Sequence, residues 1–218
     1  MLLEINEAAL IPDILSESEM AAYEAIIGKI LCLYTFFQPQ EGDKLAIPQF
    51  ADGQVVLTNY SVKRIELTPP WMRSPIVAYG LVPEKPVAPS IMLFKGTSFP
   101  ADEGFFQQFL NDWIPFRSVG SWAFDIGKEK IKAFLEESFQ ATGKKTRTYG
   151  VSLGGTLSLH TAVKFPDLVE DVFAYNSPAM MGHELKKWNK RWRRTRGKGM
   201  PKVKVYRNHE DIPSKIGF

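Results

Sequence analysis

At 218 residues, with 44% hydrophobic, 12% aromatic and 23% charged content, the chain has an ordinary globular composition and is long enough to bury roughly 70% of its unfolded surface. No Pro/Gly/Ser-rich linker or internal repeat divides it, and its one cysteine, Cys32, excludes an intrachain disulfide framework. The net charge of +3 conceals an asymmetry: residues 186–204 hold ten Lys/Arg and no acid, so elsewhere 17 bases face 24 acids.

The first twenty residues, "MLLEINEAALIPDILSESEM", are acidic and lack the basic and apolar regions of a Sec signal. No stretch reaches the roughly 18 apolar residues of a membrane span, so the expected location is cytoplasmic or reached by a non-Sec route. "SESEM" places Ser16 as an N-cap with Glu19 three residues on, a capping-box pattern. The spacing of Ala22, Ile26, Ile27, Ile30 and Leu33 then predicts an amphipathic helix to about Phe36. Cys32, inside "KILCLYTFF", reads as a buried, inert thiol.

"QVVLTNY" and "KRIELT" are short β-rich runs, followed by "PIVAYGLV" and by "SIMLFKGT", whose near-continuous apolar run suits a strand buried on both faces. Residues 1–89 thus read as an N-terminal helix and antiparallel strands of the same domain as the rest. Helices are expected over about 103–114 and 125–139, the second with Ile131, Phe134, Leu135 and Phe139 on one side. "TRTYGVS", "VEDVFAYNSP" and "KVKVYRNHED" supply three more strands, with helices near 154–165 and 182–194 between them. This alternation predicts an α/β fold with a mostly parallel sheet and helices on both faces, in a single domain spanning 1–218.

"GVSLG", Gly150 to Gly154, matches G-x-S-x-G. The pattern puts a serine on a strained strand-to-helix bend, so its neighbours at two residues on either side must lack bulk. Ser152 is therefore a candidate nucleophile, and the plain alternative is an ordinary strand-to-helix connection. "MLFKGTSF" ends a buried strand in Lys-Gly-Thr, where the Thr97 hydroxyl and the Leu153 amide could stabilise a developing oxyanion. The alternative there is a strand-ending Gly-Thr turn.

Together these motifs resemble the class 3, fungal-type lipase family of the α/β-hydrolases, in which a strand ends F-R-G-[ST] and the nucleophile sits in G-x-S-L-G-G. "YNSPAMMG" is similar to that family's G-[SQ]-P-R-V-G strand end, and "VYRNHEDIPSKIG" to the strand end bearing the catalytic aspartate in D-x-V-P. The resemblance covers about residue 90 onward. It implies an α/β-hydrolase fold, Ser152 as nucleophile, Thr97 and Leu153 as oxyanion hole, Asp211 as the carboxylate orienting a histidine, an ester or lipid substrate, and no metal or organic cofactor. Pro213 directly after Ile212 departs from the pattern by one residue.

The family's histidine follows its aspartate by several tens of residues, whereas this sequence ends seven residues after Asp211. His160 lies eight residues past Ser152 on a helix, about 12 Å along its axis, which is out of reach. His209 shares the strand side of Asp211 but sits about 7 Å back from the strand end. His183 follows "NSPAMMG" at the carboxyl edge and is the best-placed candidate base, against the reading of a polar residue opening a helix. A chain truncated before its histidine, or a catalytically weak α/β-hydrolase-like binding protein, is the rival expectation.

In "HELKKWNKRWRR", Leu185, Trp188 and Trp192 share a helical face, with Arg191, Arg194 and four other bases filling most of the remainder. Residues 184–204 could contact an anionic membrane surface. A helix docked on the sheet through its tryptophans is the alternative, and nucleic acid is the least favoured partner.

Overall fold

The computed structural model describes residues 3–4, 15–51, 54–69, 75–96, 120–180 and 182–207. In chain order the elements are β1 (Leu3–Glu4), α1 (Glu17–Tyr34) continued by a 3₁₀ turn (Thr35–Phe37), β2 (Lys44–Ala51), β3 (Gln54–Glu66), β4 (Val77–Pro83) and β5 (Ile91–Phe94). Then follow α2 (Ser121–Thr142), β6 (Thr146–Val151), α3 (Leu153–Lys164), β7 (Val169–Tyr175), α4 (Lys186–Thr195) and β8 (Lys202–Tyr206).

The eight strands form one sheet in sequence order. Pairings from β2 through β5 are antiparallel, whereas β5 to β8 run parallel, as do β1 and β2. The sheet is therefore mixed, which corrects the expected mostly parallel one. The cause lies between residues 44 and 94, where the connections described carry no crossover helix, and strands joined directly return antiparallel.

Because β5 to β8 advance steadily in one direction, right-handed crossovers must lay their helices on one face. That face carries α2 and α3, whose Phe124, Ile131, Phe134, Leu135 and Leu157 pack on Ala78, Met92, Phe94 and Val172, and Trp188 of α4 joins them. The opposite face belongs to α1. Ile27, Leu31 and Cys32 cover Tyr79, Leu93, Tyr149, Phe173 and Tyr175 there, and burial pushes the Cys32 thiol up and out of its reactive range. The strand alternation that sends Leu93 to one face and Phe94 to the other explains why these strands read as unbroken apolar runs.

The capping box is formed: Ser16 Oγ accepts from the Glu19 amide, while the Ser16 amide donates to Glu19 Oε2 at 2.9 Å. These bonds hold the Glu19 carboxyl below its ordinary pKa. From Glu17 to Phe37, helix and turn form 21 residues long and apolar enough, by length and composition, to cross a membrane, with mean hydropathy 1.4. The sequence reading, which found no such stretch, is corrected here. Gly28 lets α1 settle on the sheet, since a Cβ there would lie 2.3 Å from Tyr175 Oη and 2.7 Å from the Tyr149 ring.

Several boundaries differ from expectation. β3 is one 13-residue strand rather than two short runs, and α2 begins at Ser121. β2 went unpredicted because Pro48 and Gln49 interrupt its apolar pattern; proline lacks the ladder donor and is tolerated near a sheet edge, here beside the two-residue β1. Phe139, expected on the buried side of α2, is exposed. The helix expected over 103–114 lies outside the described residues.

Candidate active site

The carboxyl ends of β5, β6, β7 and β8 define one edge of the sheet. Val151, the last residue of β6, stands level with Tyr175 of β7, which in turn stands level with Tyr206 of β8. One step beyond Val151, Ser152 adopts φ 54°, ψ −123°, a conformation that L-residues occupy only under constraint. Its amide donates to Tyr175 O at 2.9 Å, and its carbonyl accepts from the Gly155 amide at 3.0 Å, so the bend is bonded on both sides.

The glycines of the motif have measurable reasons. A Cβ on Gly150 would sit 2.1 Å from Gly154 O, and one on Gly154 would sit 2.2 Å from Phe94 O. The bend is thus pressed between its own helix and the end of β5. Gly96 closes the other side, where a Cβ would come within 2.8 Å of Val151 O. Phe94 and Gly96 at the end of β5 and the "GVSLGG" bend therefore meet at backbone contact distance.

Ser152 occupies the N-cap position of α3, yet its side chain makes no capping bond. The hydroxyl is half-buried, and the helix it starts has first-turn amides without intrahelical acceptors, a source of positive potential. Leu153, the first helical residue, is buried. The Ser152 side chain is thus held on a bend at the positive end of a helix without being spent on its cap.

Asn176 was not singled out from the sequence. It follows Tyr175 as Ser152 follows Val151, has a φ of 45°, and its amide donates to Tyr206 O at 2.8 Å. The signal available was its position after a β-run, since asparagine tolerates the left-handed region better than most residues. Next to it Ser177 is buried against Gly155, and its hydroxyl has no hydrogen-bond partner among the described residues.

The remaining candidates distribute unevenly. Thr97 and Asp211 lie outside the described residues, as does His209. The chain can be followed to Gly96, adjacent to the bend, and to Arg207, one residue past Tyr206. Strands being about 4.8 Å apart, that point is on the order of 10 Å from Ser152 along the same edge.

His183 is exposed and lines a cavity of about 210 Å³ with His160, Asp125, Glu184, Lys164 and Phe124. The cavity's wall is the second half of α3 and the start of α2, so His183 is grouped with His160 and not with Ser152. His160 itself is buried and stacked on Phe124, with ring centroids 5.5 Å apart. Burial holds its pKa below the usual histidine value, partly opposed by the Glu184 and Asp125 charges. Among the described residues no group of three His, Cys, Asp or Glu is arranged to hold a metal ion.

In α4, Trp188 turns inward onto the core and Arg191 forms a forked ion pair with Asp167, whose carboxyl it holds below its ordinary pKa. Trp192 is 54% exposed and packs over Gly197, while Lys186, Lys187, Lys190, Arg193 and Arg194 face solvent.

Residues 121–209 match the family model for esterases, a stretch that runs from the start of α2 to just beyond β8 and includes the bend. No curated protein and no solved structure matches the chain. The match supports an ester hydrolase in general and does not single out the fungal-type lipases.

Proposed function

We propose that the protein is a serine ester hydrolase that cleaves carboxylic esters of lipids through an acyl-enzyme on Ser152. The observation that carries this reading is the strained Ser152 backbone at the carboxyl end of β6, with its hydroxyl left uncommitted to the cap of α3. Ser152 Oγ attacks the ester carbon and passes its proton to a base. The carbonyl oxygen becomes an oxyanion, met by the Leu153 amide and by Thr97. Collapse breaks the C–O bond, and the alcohol leaves with the proton. Water then attacks the acyl-enzyme along the reverse route and releases the acid.

Two histidines are candidates for the base. His183 stands on the loop after β7, and His209 lies two residues beyond the described end of the chain at Arg207, with Asp211 following. The catalytically weak, ligand-binding reading draws on the placement of His183 beside His160. Contact of residues 184–204 with an anionic membrane surface rests on Trp192, Arg194 and the outward lysines, since Trp188 and Arg191 are engaged within the fold.

The test is labelling with a fluorophosphonate and turnover of p-nitrophenyl acetate and laurate. The wild type should label and turn over, Ser152→Ala should do neither, and whichever of His183→Ala and His209→Ala removes the base should retain only a residual acceleration of about 10³ to 10⁴ over water. A wild type silent in both assays would overturn the esterase reading.

A further inference from the structure

α1 runs along the sheet from its amino edge, where Glu24 meets Arg147 and Lys204, to its carboxyl edge, where Phe36 lies 3.5 Å from the Cβ position of Gly96 and under the Lys95 ammonium. Its inner side is accounted for by Ile27, Gly28, Leu31 and Cys32. Its outer side is not. Ile26, Leu33 and Phe37 recur at helical spacing and are 53%, 51% and 72% exposed, with Ile30 half-buried between them and Phe36 at the end.

Single exposed apolar residues are unremarkable, but a contiguous stripe of them is not. This stripe is continuous with the site: it ends at Phe36, in contact with the strand end that abuts Val151 and hence Ser152. Charged groups flank it, with exposed Glu17 and Glu19 at the far amino end of the helix, exposed Lys29 further along it and Lys95 at the mouth beside the site. An apolar band whose ammonium groups lie toward the site end and whose carboxylates lie at the other has, over that site half, the chemistry of a helix at the boundary between phosphate headgroups and acyl chains. Because its inner residues belong to the core, the helix would lie on the membrane and not span it.

We infer that the outer face of α1 docks on a phospholipid bilayer and brings the Ser152 edge to lipid esters held there. The inference rests on the ester-hydrolase reading for its purpose, yet docking is measured without catalysis. Ser152→Ala protein should co-sediment with 3:1 POPC/POPG vesicles as the wild type does. Ile26→Gln/Leu33→Gln, with an unchanged melting curve, should lower the partition coefficient on the order of tenfold or more. Phe37→Trp provides an independent reading, an emission blue shift on adding vesicles.

Failure to sediment would overturn the inference and leave the esterase assay standing. So would sedimentation that persists in the α1 variant and is abolished by Lys190→Glu/Arg194→Glu, because α4 would then be the contact. A wild type that is dimeric by light scattering and becomes monomeric in the α1 variant would also overturn it, the stripe then being covered by a second copy. Conversely, vesicle binding by a protein inert toward fluorophosphonate would sink the esterase reading and keep the docking surface.

Discussion

Ser152 pays a conformational cost that its neighbours enforce. Its φ of 54° and ψ of −123° lie where glycine is comfortable and alanine or serine is strained by about 1–3 kcal/mol. Ser152→Gly is accordingly expected to unfold at higher urea than Ser152→Ala, by about 1 kcal/mol, although both lose labelling. Equal stability of the two would mean that the bend is not strained in solution. Gly150 and Gly154 were legible as small residues because the motif states the requirement in five letters, and the structure adds the atoms that impose it. The location of His160 was legible too, from its distance along the helix, but its burial against Phe124 was not, because that contact comes from α2. This burial has a pH consequence. The folded pKa of His160 is depressed below 6.5, so the unfolded chain binds the extra proton first, and stability present above pH 6.5 is lost as pH falls through the folded pKa. His160→Gln should flatten urea midpoints over that acidic window, with the wild type falling by at most about 1.4 kcal/mol per pH unit relative to the variant.

At the scale of elements, an ion network fastens α1 to the parallel strands. Arg147 of β6 approaches Glu24 of α1 at 3.9 Å, Glu170 of β7 at 3.3 Å and Asp171 of β7 at 3.4 Å, while Lys204 of β8 holds Glu24 at 2.9 Å. Burial raises the Asp171 carboxyl above its ordinary pKa despite Arg147, and its Oδ1 has no hydrogen-bond partner among the described residues, so this carboxylate depends on its neighbour. Arg147→Met should destabilise by about 2–3 kcal/mol in urea titration, and Arg147→Met/Asp171→Asn should recover a large part of the loss. Independent, additive losses would show that the two groups are not coupled. None of this network could be read from the sequence, since its members are spread from residue 24 to residue 204. What could be read was local: the capping box starting α1, the apolar runs of β4 to β7, and the position of α3. The antiparallel sense of the strands before residue 89 was legible too, because no helical pattern separates them, whereas the strand carrying Pro48 was not, because Pro48 and Gln49 break its apolar pattern.

The whole molecule divides its labour unevenly along the chain. The stretch that matches the esterase family, residues 121–209, carries α2 to α4 and β6 to β8, but not β5, to which β6 pairs, nor α1, which packs on Tyr149, Phe173 and Tyr175 of these strands. Without α1 and β5 that face would return Tyr149, Phe173 and Tyr175 to water. Such aromatics bury about 150–250 Å² each. At ~25 cal/mol per Å² this is about 4–6 kcal/mol apiece. Losing even two would consume most of the 5–15 kcal/mol by which domains are stable. The stacking of Tyr149 on Phe173, with centroids 4.5 Å apart, and of Tyr175 on Tyr206 would lose the helix that confines it. A fragment comprising residues 117–218 is therefore expected to show no cooperative thermal transition by far-UV circular dichroism. Co-expression with residues 1–96 should restore the transition, because that piece supplies both α1 and the β2–β5 half of the sheet. A fragment that melts cooperatively on its own would show that the strands find another cover, and the assignment of that face to α1 would fall with it.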